Sequence, residues 1–252
     1  MEDVVIRTAA AGAPVLTRPS QPERPESPAE DPMTTYTGDV TPGGPSDVRD
    51  LGVLTLRKVS VGSMDNNVYL LTCNDTGCQL LVDAAAEPNR LIDLVEEGSG
   101  RLGGIVTTHR HGDHVGALEE LTHRTGVPTY AGENDADALP VAPDHRLAHG
   151  DTITFGEVTL DVVELRGHTP GAIALTWKDA DGQAHAITGD SLFPGGPGKT
   201  PSPEDFASLM DDLESRIFEP LDDDTWVYPG HGKDTTLGAE RPHLAEWRER
   251  GW

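Results

Sequence analysis

The residues with the clearest chemical content lie in one stretch, 107–116, which has the sequence Thr-Thr-His-Arg-His-Gly-Asp-His-Val-Gly. Within six positions it holds three histidines and an aspartate: His109, His111, Asp113 and His114. Imidazole nitrogen and carboxylate oxygen are ligands that suit zinc, iron and manganese. His109 and His111 stand two apart in extended chain, so their side chains point the same way. Asp113 and His114 fall at the start of the next helix, so the loop is predicted to address two metal positions.

Three further candidate ligands follow downstream, each at the end of a predicted strand. His168 lies in the glycine-flanked segment 166–171, Asp190 directly follows an apolar run, and His231 directly follows the last predicted strand. Neighbouring glycines let the backbone approach a metal closely. Each of these signals is weak alone. Their order and their shared position at strand ends, together with the first loop, indicate one common site.

The elements that must position these residues are predicted from apolar periodicity. The predicted strands are 54–61 with a bulge near Lys58, 67–72, 79–83, 105–107, 129–131, 152–155, 158–165, 172–177, 184–188 and 225–228. The predicted helices are 88–97, 115–124, 203–218 and a short one after Pro242. Strands therefore come in groups, with one helix after the first group and another before the last strand. That order is typical of an α+β fold in which two sheets pack face to face with helices outside.

Composition divides the chain into two parts. Residues 1–48 are rich in Pro, Glu, Ser, Thr and Gly and cannot bury enough apolar area to offset their ordering entropy, so they are predicted to be a disordered N-terminal extension. Residues 49–252 are predicted to form a single catalytic domain. A native start at Met33 is a hypothesis that would remove most of the unusual composition. The N-terminus lacks the apolar core of a signal peptide, and no apolar run could span a membrane. These observations predict a cytoplasmic protein.

Charge restricts the partners. The 252 residues include 43 acidic and 19 basic side chains, giving a formal net charge of −24. Such a surface repels phosphate backbones and anionic lipids, so neither nucleic acid nor a membrane is expected as a partner. A small-molecule substrate and a monomer or homodimer are expected instead. Cys73 and Cys78 flank a predicted four-residue hairpin loop and are expected to be free thiols.

The complete pattern resembles the metallo-β-lactamase superfamily and, within it, the glyoxalase II-like hydrolases. The resemblance covers about residues 51–238. Besides the first loop it includes Gly-Asp-Ser-Leu-Phe at 189–193, followed by a glycine-rich turn and Lys199. Gly-His-Gly at 230–232 and Thr-Thr-Leu-Gly at 235–238 are similar to the compact single-domain members. The resemblance implies an αββα sandwich with a dinuclear metal site at one edge of the two sheets.

The resemblance also implies a ligand set. One metal would be held by His109, His111 and His168, and the second by Asp113, His114 and His231. Asp190 would bridge both metals, which are expected to be two divalent ions, zinc or alternatively iron or manganese. Asp113 and Asp190 are the expected catalytic residues, with Asp113 accepting a hydrogen bond from the attacking hydroxide. The true β-lactamases commonly place a cysteine where Asp190 stands, so antibiotic hydrolysis is not expected.

The expected activity is metal-dependent hydrolysis. Metal binding lowers the pKa of water from about 15.7 to roughly 7, so metal-bound hydroxide is available at neutral pH. The resemblance predicts a thioesterase that cleaves S-acyl esters of a low-molecular-weight thiol, with Lys199 binding the carboxylate of the thiol. Two departures weaken the case for glutathione: Pro201 replaces a usual tyrosine, and the chain ends 21 residues after His231, where the glutathione enzymes carry a helical domain. The thiol is therefore glutathione or another such as mycothiol.

Two other reactions on the same fold are alternatives. A persulfide (sulfur) dioxygenase would use a single iron, and its members tend to carry a Gly-Arg-Thr-Asp-Phe-like stretch where this chain has Gly-Lys-Thr-Pro at 198–201. A lactonase is not separated from a thioesterase by the sequence. Asp83 is expected either to orient a metal-binding histidine or to cap the following helix. Asn66 and Asn67 are expected near the rim of the site. The remaining histidines are expected at surface or helix-end positions: His123, His145, His149, His185 and His243.

Overall fold

The structure, a computed structural model, describes residues 3–6 and 36–251 of the chain. The strands in these residues are β1 Asp3–Ile6, β2 Asp47–Asp50, β3 Leu54–Val61, β4 Asn66–Cys73, β5 Gln79–Val82, β6 Leu102–Thr107, β7 Thr129–Gly132, β8 His145–Leu147, β9 Thr152–Phe155, β10 Val158–Glu164, β11 Ile173–Lys178, β12 Ala184–Gly189, β13 Leu192–Phe193, β14 Gly196–Pro197, β15 Trp226–Pro229 and β16 Thr235–Thr236. The α-helices are α1 Pro88–Glu97, α2 Gly112–Val115, α3 Leu118–Thr125, α4 Pro203–Leu213, α5 Leu237–Glu240 and α6 Leu244–Arg250.

The described strands form two mixed sheets of seven strands each and one small hairpin of β13 and β14. The first sheet has the spatial order β2-β3-β4-β5-β6-β7-β8, antiparallel up to β5 and parallel from β5 to β8. The second has the order β1-β9-β10-β11-β12-β15-β16, with parallel pairing between β1 and β9 and between β12 and β15. Parallel neighbours end at the same edge of a sheet, so the residues that follow them are brought close together.

The two sheets enclose one apolar core, and each carries helices on its outer face. Leu71 of the first sheet and Leu160 of the second belong to the shared inner core. Leu94 of α1 packs on the outside of the first sheet, and Leu209 of α4 and Trp247 of α6 pack on the outside of the second. Both faces of each sheet are therefore covered, as the apolar faces of layered domains require. This arrangement confirms the predicted α+β fold and its αββα layers.

The bulge expected near Lys58 is wrong. β3 pairs with β4 in continuous register from Leu54 opposite Cys73 to Val61 opposite Asn66. The alternation of apolar residues changes phase for two other reasons. The second half of β3 is buried on both faces, and the inward-facing position 58 holds a lysine. A fully buried lysine thus stands where the pattern of the strand calls for an apolar residue.

Two predicted helices are divided in the structure. The segment predicted as 115–124 consists of α2 and α3, which Gly116 and Ala117 separate. A Cβ atom at Gly116 would lie 2.7 Å from the carbonyl oxygen of Ala85, so close packing on the β5–α1 connection requires glycine there. The segment predicted as 203–218 ends as an α-helix at Leu213 and continues as a π-helical turn over Glu214–Phe218.

The structured part of the chain begins before the predicted boundary at residue 49. Strand β2 starts at Asp47, and the hydroxyl of Tyr36 donates a hydrogen bond to Asp234. Asp3–Ile6 pairs in parallel with β9. Residues 3–6 and 36–48 thus contact segments that are distant in the sequence, while the predicted division of the chain at residue 49 stays a prediction. The rest of the predicted extension, and the hypothesised start at Met33, lie outside the described residues.

Two smaller expectations concern the cysteines and the membrane. Cys73 and Cys78 are both buried and both free, which confirms the expectation of thiols. In the residues that the structure describes, every helix is too short or too polar to cross a bilayer.

Candidate metal centre

All seven predicted ligands lie at one edge of the sandwich, just beyond the ends of strands. The first sheet contributes four of them through the loop and short helix that follow β6. The second sheet contributes His168 from the β10–β11 loop, Asp190 directly after β12, and His231 after β15. The parallel pairing of β12 with β15 explains why Asp190 and His231 are neighbours although 41 positions separate them. The structure thus brings the predicted residues together, while their roles as ligands stay a prediction.

The ligand atoms form two groups that meet at Asp190. One group is His109, His111 and His168, and the other is Asp113, His114 and His231; within each, the ligand atoms lie within 4.8 Å of one another. Asp190 Oδ2 is 3.5 Å from Nε2 of His168 in the first group and 3.5 Å from Nε2 of His231 in the second. A single carboxylate therefore faces both groups.

The donor set fits metal ions. Nε2 of His109, Nε2 of His168 and Oδ1 of Asp190 are buried, and none of them has a hydrogen-bond partner among the residues that the structure describes. Buried polar atoms in folded proteins are almost always hydrogen-bonded, so three unpaired atoms in one cluster require an explanation. All three are lone-pair atoms of side chains that commonly bind transition metals. Cations between the two groups would satisfy them.

Two of the histidines, His168 and His231, are oriented by hydrogen bonds at Nδ1, the ring nitrogen that faces away from the site. Nδ1 of His168 lies 2.6 Å from the carbonyl oxygen of Lys199, and Nδ1 of His231 lies 2.8 Å from that of Met64. Because a carbonyl oxygen can only accept a hydrogen bond, both rings carry a proton on Nδ1 and present Nε2 to the centre of the site. This arrangement fixes the tautomer that a metal ligand needs.

Asp83 plays the same part for His114. Its Oδ2 lies 2.9 Å from Nδ1 of His114 and accepts a hydrogen bond of 2.8 Å from the hydroxyl of Thr108, while its Oδ1 accepts one of 2.7 Å from the Thr108 amide. Asp83 is buried, and its backbone has a φ of 63°. Of the two expectations for Asp83, the structure supports the one in which it orients a histidine. It also lies within ligand distance of His109 and His114, but these donors already occupy both of its oxygens.

Asp135 was not singled out by the sequence analysis. It is buried beyond the end of β7, and its oxygens accept hydrogen bonds from the Thr169 hydroxyl at 2.5 Å, the Gly171 amide at 2.9 Å and the Arg110 amide at 3.1 Å. One carboxylate thereby connects the loop of His109 and His111 with the loop of His168. An aspartate three positions beyond a short strand is the only signal in the sequence, and such residues are common in turns.

Asn66 and Asn67 lie next to the site, as expected. Nδ2 of Asn66 donates a hydrogen bond of 2.8 Å to Oδ2 of Asp113. Nδ2 of Asn67 donates to the carbonyl oxygens of Pro229 at 2.8 Å and Gly232 at 2.9 Å, the residues that flank the His231 turn. Both asparagines are buried, so they form part of the wall of the site.

Charge and burial shift the pKa values of the candidate ligands in different directions while no metal is bound. Burial lowers the pKa of His109 and of His168, so both imidazoles are neutral at pH 7. Burial acts to raise the pKa of Asp190, but its contacts with His114 and His231 outweigh that effect and lower the pKa. Burial acts in the opposite direction on His114, yet Asp190 and Asp83 raise the pKa of its ring to about 10. Metal ions compete with protons for these groups, so binding of a metal is expected to release protons.

Glycines allow the backbone to approach the ligands. A Cβ atom at Gly230 would lie 2.1 Å from Oδ1 of Asp190 and 2.8 Å from Cε1 of His114. A Cβ atom at Gly198 would lie 1.7 Å from the carbonyl oxygen of Asp190. A side chain at position 230 would displace the Asp190 carboxylate, and one at position 198 would displace the Asp190 backbone, which explains the glycines beside the ligands.

Lys199 lies near the same edge with an exposed side chain. Its carbonyl oxygen accepts the bond from His168. Among the described residues, no carboxylate lies within ion-pair distance of the Lys199 ammonium group. The lysine ion pairs in this part of the chain are formed by Lys58 and Lys233. The side chain is thus available to an anionic group at the mouth of the site.

The expectation for the remaining histidines is wrong for His185. His185 is fully buried in β12, where its ring stacks on Trp177 and Tyr228 and Nε2 lies 3.2 Å from Oδ2 of Asp179. His145 is half-buried and stacks on Tyr130. The other three are exposed, as expected: His123, His149 and His243.

Comparisons with known proteins agree with this geometry. Residues 61–231 match the family model of the metallo-beta-lactamase superfamily. Hydroxyacylglutathione hydrolase GloC of Haemophilus influenzae is 32% identical over 208 residues, which cover 75% of this chain and 95% of that protein.

Two solved structures are similar as well. TTHA1623, in a di-iron-bound form, has a TM-score of 0.58 and 32% identity, over 73% of this chain and 96% of that one. ETHE1 from Myxococcus xanthus has a TM-score of 0.65 and 27% identity, over 77% and 84% of the two chains. The matched family, the layered fold and the clustered histidines and aspartates agree. The chain belongs to the metallo-beta-lactamase superfamily and is a metallo-hydrolase similar to glyoxalase II.

Proposed function

We propose that this chain is a thioesterase that cleaves S-acyl esters of a low-molecular-weight thiol with the help of two divalent metal ions. The observation that carries the proposal is the meeting of two ligand groups at Asp190, with three buried ligand atoms that lack any partner. The thioester class is supported by the similarity to a protein named hydroxyacylglutathione hydrolase.

The residues fall into two metal sets. His109, His111 and His168 would hold the first ion, and Asp113, His114 and His231 would hold the second, with Asp190 facing both groups. When bound, the ions supply Lewis acidity toward the thioester carbonyl and a water of lowered pKa. Zinc is the expected metal, with iron and manganese as alternatives, because histidine and carboxylate ligands accept all three.

The protein orients the reacting groups. The Asp113 carboxylate, whose pKa is lowered by the Asn66 hydrogen bond against the opposing effect of burial, stays ionised and accepts a hydrogen bond from the attacking water. Asn66 fixes its direction. Gly230 leaves the space that the Asp190 carboxylate occupies, and Gly198 lets the chain pass close to the Asp190 backbone. Lys199, on the exposed side, binds the carboxylate of the thiol.

Apolar side chains at the rim suit the acyl group. Met64 is 60% exposed although its carbonyl is bonded to His231, and the ring of Phe193 lies 6.4 Å from the ring of His231. Phe193 and Met64 therefore lie beside His231 of the second ligand group. Pro201 in place of a tyrosine leaves one polar contact to the thiol missing, which favours a thiol other than glutathione, such as mycothiol. Free Cys73 and Cys78 suit a cytoplasmic protein, and we propose a monomer or homodimer.

The test combines metal analysis with a substrate panel. The purified protein is analysed for bound metal and assayed with S-acyl esters of glutathione, mycothiol and coenzyme A. We expect two metal equivalents and hydrolysis of at least one ester. His111→Ala and Asp190→Ala are expected to lose metal and at least about 100-fold in turnover together, because several kcal/mol of electrostatic stabilisation depend on the site. Full turnover in either variant would refute the site.

The second candidate is persulfide dioxygenation, which the similarity to ETHE1 of Myxococcus xanthus keeps open. Against it, Gly-Lys-Thr-Pro at 198–201 differs from the stretch typical of that group. A lactonase is a further alternative. Oxygen uptake on glutathione persulfide without hydrolysis of any thioester would establish the second candidate, and turnover of lactones alone would establish the third.

A further inference from the structure

A fully buried lysine lies behind the turn that carries His231. Lys58 in β3 has a side-chain exposure of 0%. Its Nζ donates three hydrogen bonds: to the carbonyl oxygen of Gly38 at 2.7 Å, to that of Gly232 at 2.8 Å and to Oδ1 of Asp234 at 2.6 Å. An ammonium group has three protons, so every donor of Lys58 is used.

The partner carboxylate is equally enclosed. The side chain of Asp234 is 2% exposed, and its second oxygen, Oδ2, accepts hydrogen bonds from the Tyr36 hydroxyl at 2.6 Å and from Nε1 of Trp226 at 2.9 Å. The ion pair is thus surrounded by β3, by β15 and by the segment before β2. Removing one member of such a pair leaves an unpaired buried charge, which is strongly unfavourable.

Fold stability alone is a poor reason for this pair. A buried ion pair costs desolvation energy, and well-packed apolar residues of similar volume often stabilise a fold equally well or better. What apolar residues could not supply is the bond from Lys58 to the carbonyl of Gly232, the residue directly after His231. That bond crosses from the first sheet to the second.

Other bonds to the same turn come from the first sheet as well. The hydroxyl of Tyr69 donates to the carbonyl oxygen of Pro229 at 2.7 Å, and Nδ2 of Asn67 donates to Pro229 and Gly232. Nδ1 of His231 itself bonds to Met64 at the start of the β3–β4 turn region. Hydrogen bonds from the first sheet therefore hold the His231 turn in place. Among the described residues, Lys58 is the only charged side chain that donates a hydrogen bond to this turn.

We propose that Lys58, held by Asp234, is a positioning residue that places His231 for the second metal ion. This inference rests on the proposed function, because it assumes that His231 is a metal ligand. The first metal set has separate supports, since His168 is bonded to Lys199 and its loop is fastened by Asp135. The effect of Lys58 is therefore specific to the second metal position.

The test measures the affinity of each metal position directly. Zinc is titrated into metal-free protein in the presence of a competing chelator, and two dissociation constants are determined for the wild type and for Lys58→Met. Lys58→Met is expected to weaken the second constant about 10- to 100-fold, as is typical when a support of a metal ligand is removed, and to leave the first unchanged. The same variant is expected to lose turnover only below saturating zinc.

The chain offers a matched control. Lys233 lies in the same turn, but its side chain is 71% exposed and pairs with Asp39 at 2.9 Å on the surface. Like Lys58→Met, Lys233→Met removes one positive charge near the His231 turn. It leaves the hydrogen bond from Lys58 to the carbonyl oxygen of Gly232 intact. Both of its zinc constants are expected to equal those of the wild type. Equal weakening in Lys58→Met and Lys233→Met would mean that charge alone acts, which overturns the inference.

The outcomes separate the inference from the proposed function. A wild type with one zinc equivalent, or a His231→Ala variant that keeps both constants, overturns the proposed site and the inference with it. Loss of the second constant in His231→Ala together with unchanged constants in Lys58→Met overturns the inference alone. Equal weakening of both positions in Lys58→Met also overturns it, because that result indicates a general effect on the fold.

A second variant covers the case in which Lys58→Met does not fold. Tyr36→Phe keeps the ring and removes only the hydrogen bond to Asp234. Its second zinc constant is expected to weaken about 2- to 10-fold, which corresponds to the net contribution of one typical intramolecular hydrogen bond. An unchanged second constant in a folded Tyr36→Phe variant would overturn the inference.

Discussion

Asp83 shows at the scale of one residue how the backbone serves the metal centre. Its φ of 63° is rare for a residue with a side chain, although aspartate and asparagine tolerate it better than most. The conformation directs its carboxylate to Thr108 and to Nδ1 of His114. Strained positions of this kind concentrate at functional sites because the surrounding contacts hold them there.

Asp83→Asn is therefore expected to lower zinc affinity about 10- to 100-fold, because the variant keeps the shape and removes the charged partner of His114. Competition with a chelator measures the loss. Asp65→Asn is the matched control: Asp65 also has a positive φ, of 56°, but it is exposed. Equal zinc affinity in Asp83→Asn and the wild type would contradict the role of Asp83.

Gly230→Ala tests the space around the central carboxylate. The added Cβ would lie 2.1 Å from Oδ1 of Asp190, a distance that forces the carboxylate or the turn to move. We expect loss of at least one zinc equivalent, measured by metal analysis of the purified variant. Gly112→Ala serves as the comparison, because a Cβ there meets no atom within 4 Å and should leave the zinc content unchanged. Two zinc equivalents in Gly230→Ala would contradict this prediction, because they would show that the turn can shift to accommodate the added methyl group.

The sequence was sufficient to predict seven residues that the structure brings together at one edge, because ligand types recur at strand ends with glycines beside them; their roles as ligands stay a prediction. Their supports were harder to find. Asp135 and Lys58 act through contacts with residues 20 to 176 positions away, and no local pattern records such contacts. Lys58 also interrupts the alternation of apolar and polar residues in β3, and this interruption led to the wrong prediction of a bulge. Asp83 was recognised as a candidate only because it ends a strand beside the one that leads into the loop.

At the scale of elements, α4 holds the loop that carries His168. Arg166, two residues before His168, donates to Oδ2 of Asp212 through its amide at 2.9 Å and Nε at 2.8 Å, and to Oδ1 through Nη2 at 2.7 Å. Asp212 is buried on α4. Burial acts to raise the pKa of Asp212, but the bonds from Arg166 outweigh it and lower the pKa.

This shift has a defined dependence on pH. Since the folded state holds the Asp212 pKa below the unfolded value of about 3.9, the unfolded chain binds more protons in that range. The contribution to stability is therefore complete above about pH 4 and is lost as the pH falls through the folded pKa. Asp212→Asn is expected to reduce the free energy of unfolding by about 1–3 kcal/mol at pH 7.

Urea unfolding from pH 7 to pH 3 measures this dependence. The difference between the wild type and Asp212→Asn is expected to stay constant down to about pH 4 and to shrink below it. A difference that persists undiminished at pH 3 would mean that the Asp212 charge does not stabilise the fold.

Element boundaries were predicted less well than element types. The strands and helices of the domain were recognised because their apolar residues repeat with the expected period. The division of one helix at Gly116 depends on contact with Ala85, and the early start of the domain depends on the contact of Tyr36 with Asp234. Both are tertiary contacts, which a local pattern cannot encode.

At the scale of the whole molecule, the candidate metal centre lies where the two sheets meet. Four of its residues follow β6 of the first sheet, and three follow strands of the second. Metal ions held between them would join the two halves of the sandwich. The same edge contains the buried ligand atoms that lack partners, so without metal the junction of the sheets keeps unpaired polar groups.

Metal removal is therefore expected to destabilise the entire domain. Free zinc at 100 times its dissociation constant stabilises the folded state by about 2.7 kcal/mol, because it binds the folded and not the unfolded chain. For a domain of this size, that energy corresponds to a decrease of about 5–10 °C in Tm when zinc is removed by a chelator. Differential scanning calorimetry with and without chelator measures the decrease, and added zinc should reverse it. Asp190→Ala, which lacks the shared carboxylate, should melt at one temperature under both conditions. An identical Tm for the wild type with and without chelator would show that the ions do not connect the sheets.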